Sequence, residues 1–429
     1  MKNNQKAGNG QFVRLLFAQR AFLAYFIGLH SFGLAYSIGA AAIAWQIFSL
    51  RHSPFDLGLV GLVLFLPSLL LALPAGVLAD RVDRRLICIV IVCTELIALL
   101  VFGALALSSS RSLLAYFSVI AVIGIAEAIA APADRSLLVN VVEREQYLRA
   151  TAFTSSCMQL IRIAAPAITG VLIIVSIPLA FAVAAAFHAV AAIAYAFLPQ
   201  LKAEGHDASV PMWRSAIEGV RFILHKRLVL GAISLDLFAV LFGGAAALLP
   251  VYAVNILHVG AMGFGLLRAA PAAGAALMGV FLARHPIQRR TGPTLLLCVA
   301  GFGATIIVFG VSRSLVLSLL ALALAGGFDM VSMVIRNVLV QYGTPDPMRG
   351  RVNAVENVFI GASNELGEFE SGTVAALLGA EASVVLGGLA TLLVVAVASF
   401  AFPEIRKYDQ IISDGASLGD QPSATSGQM

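Results

Sequence analysis

The sequence predicts an all-α integral membrane protein with twelve transmembrane helices in two pseudo-symmetric six-helix bundles. A charged segment near residue 76 that recurs in degraded form about 200 residues later predicts the two halves. Two further observations predict the membrane-spanning helices. The 429 residues are 60% hydrophobic and only 12% charged, whereas about 25% of the residues of a soluble domain are charged. Apolar stretches, each roughly 20 residues long and therefore long enough to cross a bilayer, follow one another along nearly the whole chain.

Short polar or charged segments divide these apolar stretches. The turns at Ser176–Pro178 and Ser312–Ser314 separate two pairs of stretches that almost touch. We therefore expect twelve spans, at approximately 21–48, 57–79, 86–107, 112–141, 150–175, 178–199, 228–254, 263–283, 294–311, 314–342, 353–378 and 382–403.

The basic residues are distributed unevenly between alternate loops. If the N-terminus is cytoplasmic, the basic residues left outside are Arg51, Arg111 and Arg313. This asymmetry follows the positive-inside rule and predicts a multi-pass protein of the cytoplasmic membrane with both termini in the cytoplasm. The net charge of +5 gives no basic patch on a soluble face, so we expect membrane lipids and no nucleic acid as partners.

The spans and the charged segments together predict a domain order. Within the linker, Trp213, Ile217, Val220 and Leu224 share one helical face, which is typical of an amphipathic helix in the membrane interface. A partner-binding helix is the alternative. The expected divisions are a cytoplasmic segment (1–20), a six-helix bundle (21–199), a cytoplasmic linker with the interfacial helix (200–227), a second six-helix bundle (228–403) and a disordered cytoplasmic tail (404–429).

Enzymatic, ATP-driven and sensory functions lack their usual signatures. The four cysteines lie within predicted helices without zinc-like spacing, so we expect neither a metal nor a cofactor. No phosphate-binding loop of the G-x-x-x-x-G-K-[ST] type occurs, and a sensor would need a larger soluble output domain. A membrane transporter is the remaining interpretation, and we do not expect an enzyme.

A highly charged hairpin separates the second and third predicted spans. It contains Gly76, Asp80, Arg81, Arg84 and Arg85. A negative charge at a helix C-terminus is unfavourable unless a cation or the N-terminus of another helix lies nearby. We therefore expect Asp80 to find such a partner in one arrangement of the two halves and to lose it in the other, which is a gating role. The alternative is that these charges only set the topology.

A degraded copy of this hairpin, residues 279–290, follows the eighth predicted span. Twelve helices in two halves with a Gly76-x-x-x-Asp80-Arg81-x-x-Arg84-Arg85 hairpin resemble the major facilitator superfamily. Residues 132–138, 165–170 and 344–353 resemble its drug:proton antiporter-3 group, which includes the enterobactin exporter and macrolide efflux proteins.

The resemblance implies the major facilitator fold and a mechanism of alternating access. It implies export of a siderophore-like or amphiphilic drug-like small molecule in exchange for protons, by a monomer. The substrate site would lie between the halves near the bilayer midplane. A proton-coupled importer or facilitator of a small metabolite is the alternative, because the same carboxylates can serve symport.

The eleventh predicted span carries Glu365, Glu368 and Glu370. An ionised carboxylate at a helix centre costs about 2.5–3.5 kcal/mol if it is unpaired, so these groups must face a cavity, pair with arginines or stay protonated. Glu365 and Glu368 share a face, and carboxylates so close oppose each other's ionisation. We therefore expect proton coupling at Glu365 and Glu368; a structural ion-pair network that fixes this helix is the alternative.

Glu127 and Asp329 occupy related places in the fourth and tenth spans, each followed by an arginine about two turns later (Arg135 and Arg336). They are further proton-coupling candidates, with plain ion pairing as the alternative. The identity of the substrate remains open at this point. Intramembrane arginines on the cavity wall would favour binding of an anionic siderophore. The acids of the eleventh span would favour binding of a cationic drug. The candidate cavity charges are Arg162, Arg268, Arg336 and Glu370.

Overall fold

The computed structural model describes residues 16–134, 137–200, 212–287 and 289–409. Nearly all of these residues are helical. The first half contains α1 (Arg20–Arg51), α2 (Pro54–Arg81), α3 (Arg84–Leu107), α4 (Leu113–Asp134), α5 (Leu137–Val141), α6 (Arg144–Val175) and α7 (Ile177–Ala196).

The second half begins with a short helix outside the bundle, α8 (Met212–His225). Between two of the bundle helices, residues 246–256 form short, irregular helical turns. The bundle helices are α9 (Arg227–Gly243), α10 (Gly260–Arg284), α11 (Thr291–Val311), α12 (Leu315–Gly343), α13 (Asp346–Leu378) and α14 (Ala380–Ala401), followed by the single turn α15 (Pro403–Lys407).

The structure confirms the predicted fold class. Among the described residues, ten helical segments are long and apolar enough to cross a membrane. The other two predicted spans form α4, whose apolar part ends at Ile129, and α13, which carries several acids. The two narrow turns also lie where they were expected: Ser176 separates α6 from α7 and accepts a hydrogen bond from the Leu179 amide at 3.2 Å, and Ser312–Ser314 separates α11 from α12.

The bundle has two ends, which we name by one residue each. The His52 face contains the turns that follow α1, α3, α6, α11 and α13. The Asp83 face contains the turns that follow α2, α10 and α12, together with α8. Arg51, Arg111 and Arg313 lie at the His52 face, so the charge asymmetry read from the sequence is an asymmetry between the two ends of the bundle.

The same helix pairs pack in each half. In the first half α7 contacts α1 and α3, and α4 contacts α2 and α3. In the second half α14 contacts α9 and α11, and α12 contacts α10 and α11. The halves meet mainly through α2 against α13 and α6 against α10, which are again equivalent pairs.

The closest approaches between the halves lie toward the His52 face. A hydrophobic core cluster there joins Phe48 and Leu57 of the first half to Phe264 of the second. The rings of Trp45 and Phe264 are 5.3 Å apart. Since Phe48 and Leu57 flank the α1–α2 turn, this end of the interface is packed shut.

One part of the expected domain order differs from the structure. Residues 404–407, expected to belong to a disordered tail, form most of α15, and residues 408–409 pack on the start of α11. The Asp409 carboxylate accepts a hydrogen bond from the Arg290 amide at 3.0 Å, and the Tyr408 carbonyl accepts one from the Gly292 amide at 3.0 Å. These contacts satisfy amide groups at the start of α11 that have no partner within the helix. Residues 1–15 and 410–429 lie outside the described part of the chain.

The amphipathic segment of the linker is helical, as α8. Gly219 packs against the backbone of Arg351 at the start of α13, and the Arg351 guanidinium forms an ion pair with Glu218. Ile217, Val220 and Leu224 remain exposed, so α8 presents an apolar strip to its surroundings. A position in the membrane interface remains our prediction for this helix.

Candidate functional site

A cavity lies at the centre of the molecule between the two halves. Its empty volume is about 840 Å³, a figure that includes the open space at its mouth. Most of its wall is apolar and comes from α1, α2, α3 and α4. The titratable residues that line it are Tyr36, Glu95, Glu127, His188, Arg268, Glu365 and Glu368.

Glu365 and Glu368 enter the cavity from α13. They are three residues apart, so they share a helical face, as the sequence predicts. Arg268 of α10 lines the same cavity and lies within electrostatic range of both carboxyl groups. The second half therefore contributes two acids and one guanidinium to the wall.

Gly61 of α2 determines how closely α13 can approach the cavity. A Cβ atom at Gly61 would lie 2.9 Å from the carbonyl oxygen of Glu365, closer than real Cβ atoms pack, and 3.1 Å from the Cβ of Glu368. The absence of a side chain at this position lets the α13 backbone rest directly on α2. The two acids are thereby held beside the first half.

Glu127 of α4 lines the cavity from the opposite half. It lies within electrostatic range of Glu95 and of Glu365. The Tyr36 hydroxyl lies within electrostatic range of all three acids. The structure thus brings together three of the four acids that the sequence offered as proton-coupling candidates. Their role in proton coupling stays a prediction.

A buried pair, Glu95 of α3 and His188 of α7, completes the wall. The His188 Nε2 and the Glu95 Oε2 are 2.8 Å apart, and the two side chains are 1% and 3% exposed. The His188 Nδ1 lies 3.1 Å from the carbonyl oxygen of Ala184; a carbonyl can only accept, so Nδ1 carries a hydrogen. The contact between Nε2 and Oε2 then holds one proton, on either the imidazole or the carboxyl group, and the pair has zero net charge in both cases.

Sequence reasoning did not select His188 as a site residue. A signal was nevertheless present: Glu95 and His188 are each isolated ionisable groups in otherwise apolar helices. Such groups require partners inside a membrane, and an unpaired acid and an unpaired base in neighbouring helices are natural partners. The sequence alone does not show that α3 and α7 turn these two faces toward each other.

Arg336 does not line the cavity. It lies in a separate buried cluster, where it forms ion pairs with Asp236 of α9 and with Glu356 of α13, the latter at 3.3 Å between Nε and Oε1. All three side chains are nearly inaccessible. The expectation of Arg336 as a cavity charge therefore differs from the structure, because its positive charge is already matched by two carboxylates. Glu356 was not among the residues selected from the sequence.

Three further sequence candidates are also absent from the cavity wall in the described structure. Arg162 and Asp329 are exposed and do not line the cavity. Glu370 points away from it, and its carboxylate accepts a hydrogen bond from the Ser371 hydroxyl at 3.3 Å. Of the four expected cavity charges, Arg268 is the one that the structure places on the wall.

The charged hairpin joins α2 to α3 at the Asp83 face. Asp83 caps α3, since its carboxylate accepts a hydrogen bond from the Arg85 amide at 3.0 Å. The Arg85 guanidinium donates to the carbonyl oxygen of Ala196, the last residue of α7, where a cation is favourable. Arg84 is half-buried. The side chains of the other expected gating residues (Gly76, Asp80 and Arg81) lie outside the described part of the structure, so their gating role stays a prediction.

Comparison with known families places the whole bundle in one group. Residues 17–422 match a family described as a transmembrane secretion effector of the MFS_3 group. Curated relatives include the enterobactin exporter EntS of Citrobacter koseri, 27% identical over 404 residues that cover 92% of this chain and 95% of the relative. EntS of Escherichia coli O81 is 27% identical over 394 residues, with 91% and 92% covered.

Solved transporter structures share the fold of this chain. A POT family transporter in complex with 5-aminolevulinic acid superimposes with a TM-score of 0.69 at 12% identity, covering 90% of this chain and 96% of that one. A bacterial homologue of the human lysosomal transporter Spinster, inward-facing and unoccupied, gives 0.69 at 17% identity, covering 91% and 99%. The chain is therefore a multi-pass membrane transporter of the major facilitator superfamily and a member of its transmembrane secretion effector family.

Proposed function

We propose that this transporter exports a small organic molecule, siderophore-like or drug-like, across the cytoplasmic membrane in exchange for protons. It works as a monomer that alternates access to the central cavity, with both termini in the cytoplasm. No nucleotide takes part, and the proton gradient supplies the energy.

The observation that carries this proposal is the meeting of Glu127, Glu365 and Glu368 in one cavity. The first belongs to one half and the other two to the second half, so a change in the angle between the halves alters the distances among them. Ionised acids that are removed from water oppose one another and take up protons. Protonation and substrate occupancy can therefore be linked through the arrangement of the halves.

The direction of transport rests on two supports. The curated relatives named above are exporters of enterobactin. The basic residues gather at the Asp83 face, which the positive-inside rule assigns to the cytoplasm. The described state, packed shut at the His52 face, is then closed toward the outside and belongs to the stage of the cycle that loads substrate from the cytoplasm.

The experiment is a proton-flux measurement in inside-out membrane vesicles that contain the full-length protein. Respiration acidifies the vesicle lumen, a pH-sensitive dye reports the gradient, and a panel of siderophores and amphiphilic drugs is added. Antiport predicts that a substrate releases protons from the lumen. We expect Glu365→Gln and Glu368→Gln to abolish this release, and Glu370→Gln, on the same helix but off the cavity wall, to retain it.

The outcomes separate the proposal from its alternatives. If a labelled compound accumulates in the lumen while all variants still release protons, the acids of α13 are structural, and Glu127 becomes the next candidate. If compounds leave the lumen together with protons, the chain is an importer. If a compound equilibrates without moving protons, it is a facilitator.

A further inference from the structure

The charges on the cavity wall discriminate between the two substrate classes that the sequence leaves open. Three intramembrane arginines would favour an anion if they lined the cavity. In the structure Arg336 is buried with Asp236 and Glu356, and Arg162 is exposed away from the wall. Among the described residues, Arg268 is therefore the arginine available to a substrate.

The acids outnumber this single guanidinium. The pair of Glu95 and His188 is neutral as a unit, because one proton is held between its two facing atoms. Glu127, Glu365 and Glu368 remain on the wall opposite Arg268. When all three are ionised, two negative charges have no positive counterpart among the described residues of the wall.

The rest of the wall is apolar. Ile43, Leu99 and Ile120 are typical of its surface, and Tyr36 adds an aromatic ring. Apolar walls take up a hydrophobic body, and an aromatic ring attracts a cation placed over its face. A ligand that matches both the walls and the unmatched carboxylates therefore combines a hydrophobic body with a positive charge.

We propose, on the basis of the proton-driven export described above, that the substrate is a lipophilic organic cation, such as a hydrophobic amine or a quaternary ammonium compound. Its charged group binds between Glu127 and the Glu365–Glu368 pair and replaces protons that occupy these carboxyl groups in the empty cavity. Charge is conserved in the exchange, because each positive charge that enters the site releases a proton from it.

Competition between the cation and protons predicts that binding weakens as the pH falls. Every helix that lines the cavity bears on this expectation. Helix α2 and the turn at residues 246–248 contribute Leu57, Val60, Leu64 and Ala247, which do not titrate. Among the described residues, the titratable and charged groups are Tyr36 from α1, Glu95 from α3, Glu127 from α4, His188 from α7, Arg268 from α10, and Glu365 and Glu368 from α13.

The test uses two probes of nearly equal shape and opposite charge, tetraphenylphosphonium and tetraphenylborate. Binding to the purified full-length protein is measured by equilibrium dialysis, with empty detergent micelles as the reference. We expect saturable binding of tetraphenylphosphonium that weakens on acidification, and no saturable binding of tetraphenylborate. Tetraphenylphosphonium has no hydrogen-bond donor, so a carboxylate attracts it by charge alone. At about 6 Å this attraction corresponds to roughly 3- to 100-fold in affinity between the dielectric constants of water and of a protein surface. We expect Glu127→Gln and Glu365→Gln to weaken binding within that range.

Glu370→Gln is the matched control and should bind tetraphenylphosphonium as the wild type does. Thermal unfolding of each variant verifies that it is folded, and the comparison of the two probes on the wild type needs no variant at all. The proposal is overturned if tetraphenylborate occupies the saturable site, or if tetraphenylphosphonium binds with equal affinity to the wild type and to both cavity variants.

The vesicle assay distinguishes this proposal from the function on which it rests. If addition of an anionic siderophore causes proton release from the vesicle lumen and addition of cations does not, proton-driven export stands and the cationic substrate class is rejected. If no compound of either charge moves protons while tetraphenylphosphonium still binds at Glu127 and Glu365, the cation site stands and antiport is rejected.

Discussion

Gly58 of α2 and Gly372 of α13 form a contact in which the backbones of the two halves touch. A Cβ atom on Gly372 would lie 2.6 Å from the Cα of Gly58 and 2.7 Å from the carbonyl oxygen of Pro54. Both obstructing atoms belong to the main chain, so no side-chain rotation can relieve the clash. The packed His52 face thus depends on the absence of a side chain at Gly372.

Gly372→Ala is expected to destabilise the state that is closed at the His52 face. Overpacking typically costs about 1–3 kcal/mol, which shifts a two-state equilibrium by roughly 5- to 150-fold. The measurement is the distance between spin labels on Arg51→Cys and Leu378→Cys, at two exposed positions of this face, in a background whose native cysteines are replaced. The distance distribution should shift toward longer separations.

Gly361→Ala is the matched control for this prediction. Gly361 lies on the same helix, and no atom lies within 4 Å of the Cβ position. Its substitution removes a helix-interior glycine, which favours α13 slightly, and should leave the distance unchanged. Equal shifts in both variants would show that helix propensity, and not the contact with Gly58, is responsible.

The pseudo-symmetric crossing predicts the same behaviour for Gly265 of α10. A Cβ there would lie 2.5 Å from the carbonyl oxygen of Pro166 and 3.1 Å from the Cα of Gly170 in α6. Gly265→Ala should therefore open the His52 face to a similar extent, as read by the same pair of labels. An effect of Gly372→Ala without one of Gly265→Ala would mean that the two crossings do not open together.

Much of the fold could be predicted from the sequence because a membrane span is a local property. Twenty apolar residues bounded by a polar turn define a helix whatever its neighbours are, which is why α6 ends and α7 begins beside Ser176. The face shared by Glu365 and Glu368 is equally local, since it depends only on their spacing along α13.

Pairings between helices could not be predicted in the same way. Arg336 has Asp329 two turns earlier on its own helix, yet it pairs with Asp236 and Glu356 of two other helices. The helical period fixes which residues of one helix share a face, but it does not fix which faces of different helices meet. For the same reason the sequence did not reveal the contact of His188 with Glu95.

The Glu95–His188 pair predicts an unusual order of stabilities. His188→Ala leaves a buried carboxyl group without its partner and should cost about 1–3 kcal/mol. Glu95→Gln is nearly isosteric, and its amide can donate to the Nε2 of a neutral imidazole, so it should be tolerated better. The measurement is thermal unfolding of the purified protein in detergent.

The paired replacement Glu95→Leu with His188→Leu tests this interpretation further. Replacing both partners by apolar groups can be nearly neutral, whereas removal of one partner leaves the other unsatisfied. We therefore expect the double variant to be more stable than His188→Ala. A double variant that is the least stable of the three would indicate that the packing volume, and not the shared proton, determines stability at this position.

The cluster of Asp236, Arg336 and Glu356 predicts that Arg336→Met strongly destabilises the second half. Loss of one member of a buried ionic cluster typically costs about 3–5 kcal/mol, because the remaining charges stay buried without compensation. Arg313→Met is the matched control: Arg313 pairs with Glu381 at 2.7 Å, but both side chains are exposed, and such pairs contribute roughly 0–1 kcal/mol.

Thermal unfolding should give Arg336→Met a much lower unfolding temperature than Arg313→Met. Any folded Arg336→Met protein should still bind tetraphenylphosphonium, because Arg336 is not on the cavity wall. Equal unfolding temperatures of Arg336→Met and Arg313→Met would show that the carboxyl groups around Arg336 are not left as unpaired charges. Loss of tetraphenylphosphonium binding by folded Arg336→Met would show that this cluster is coupled to the cavity.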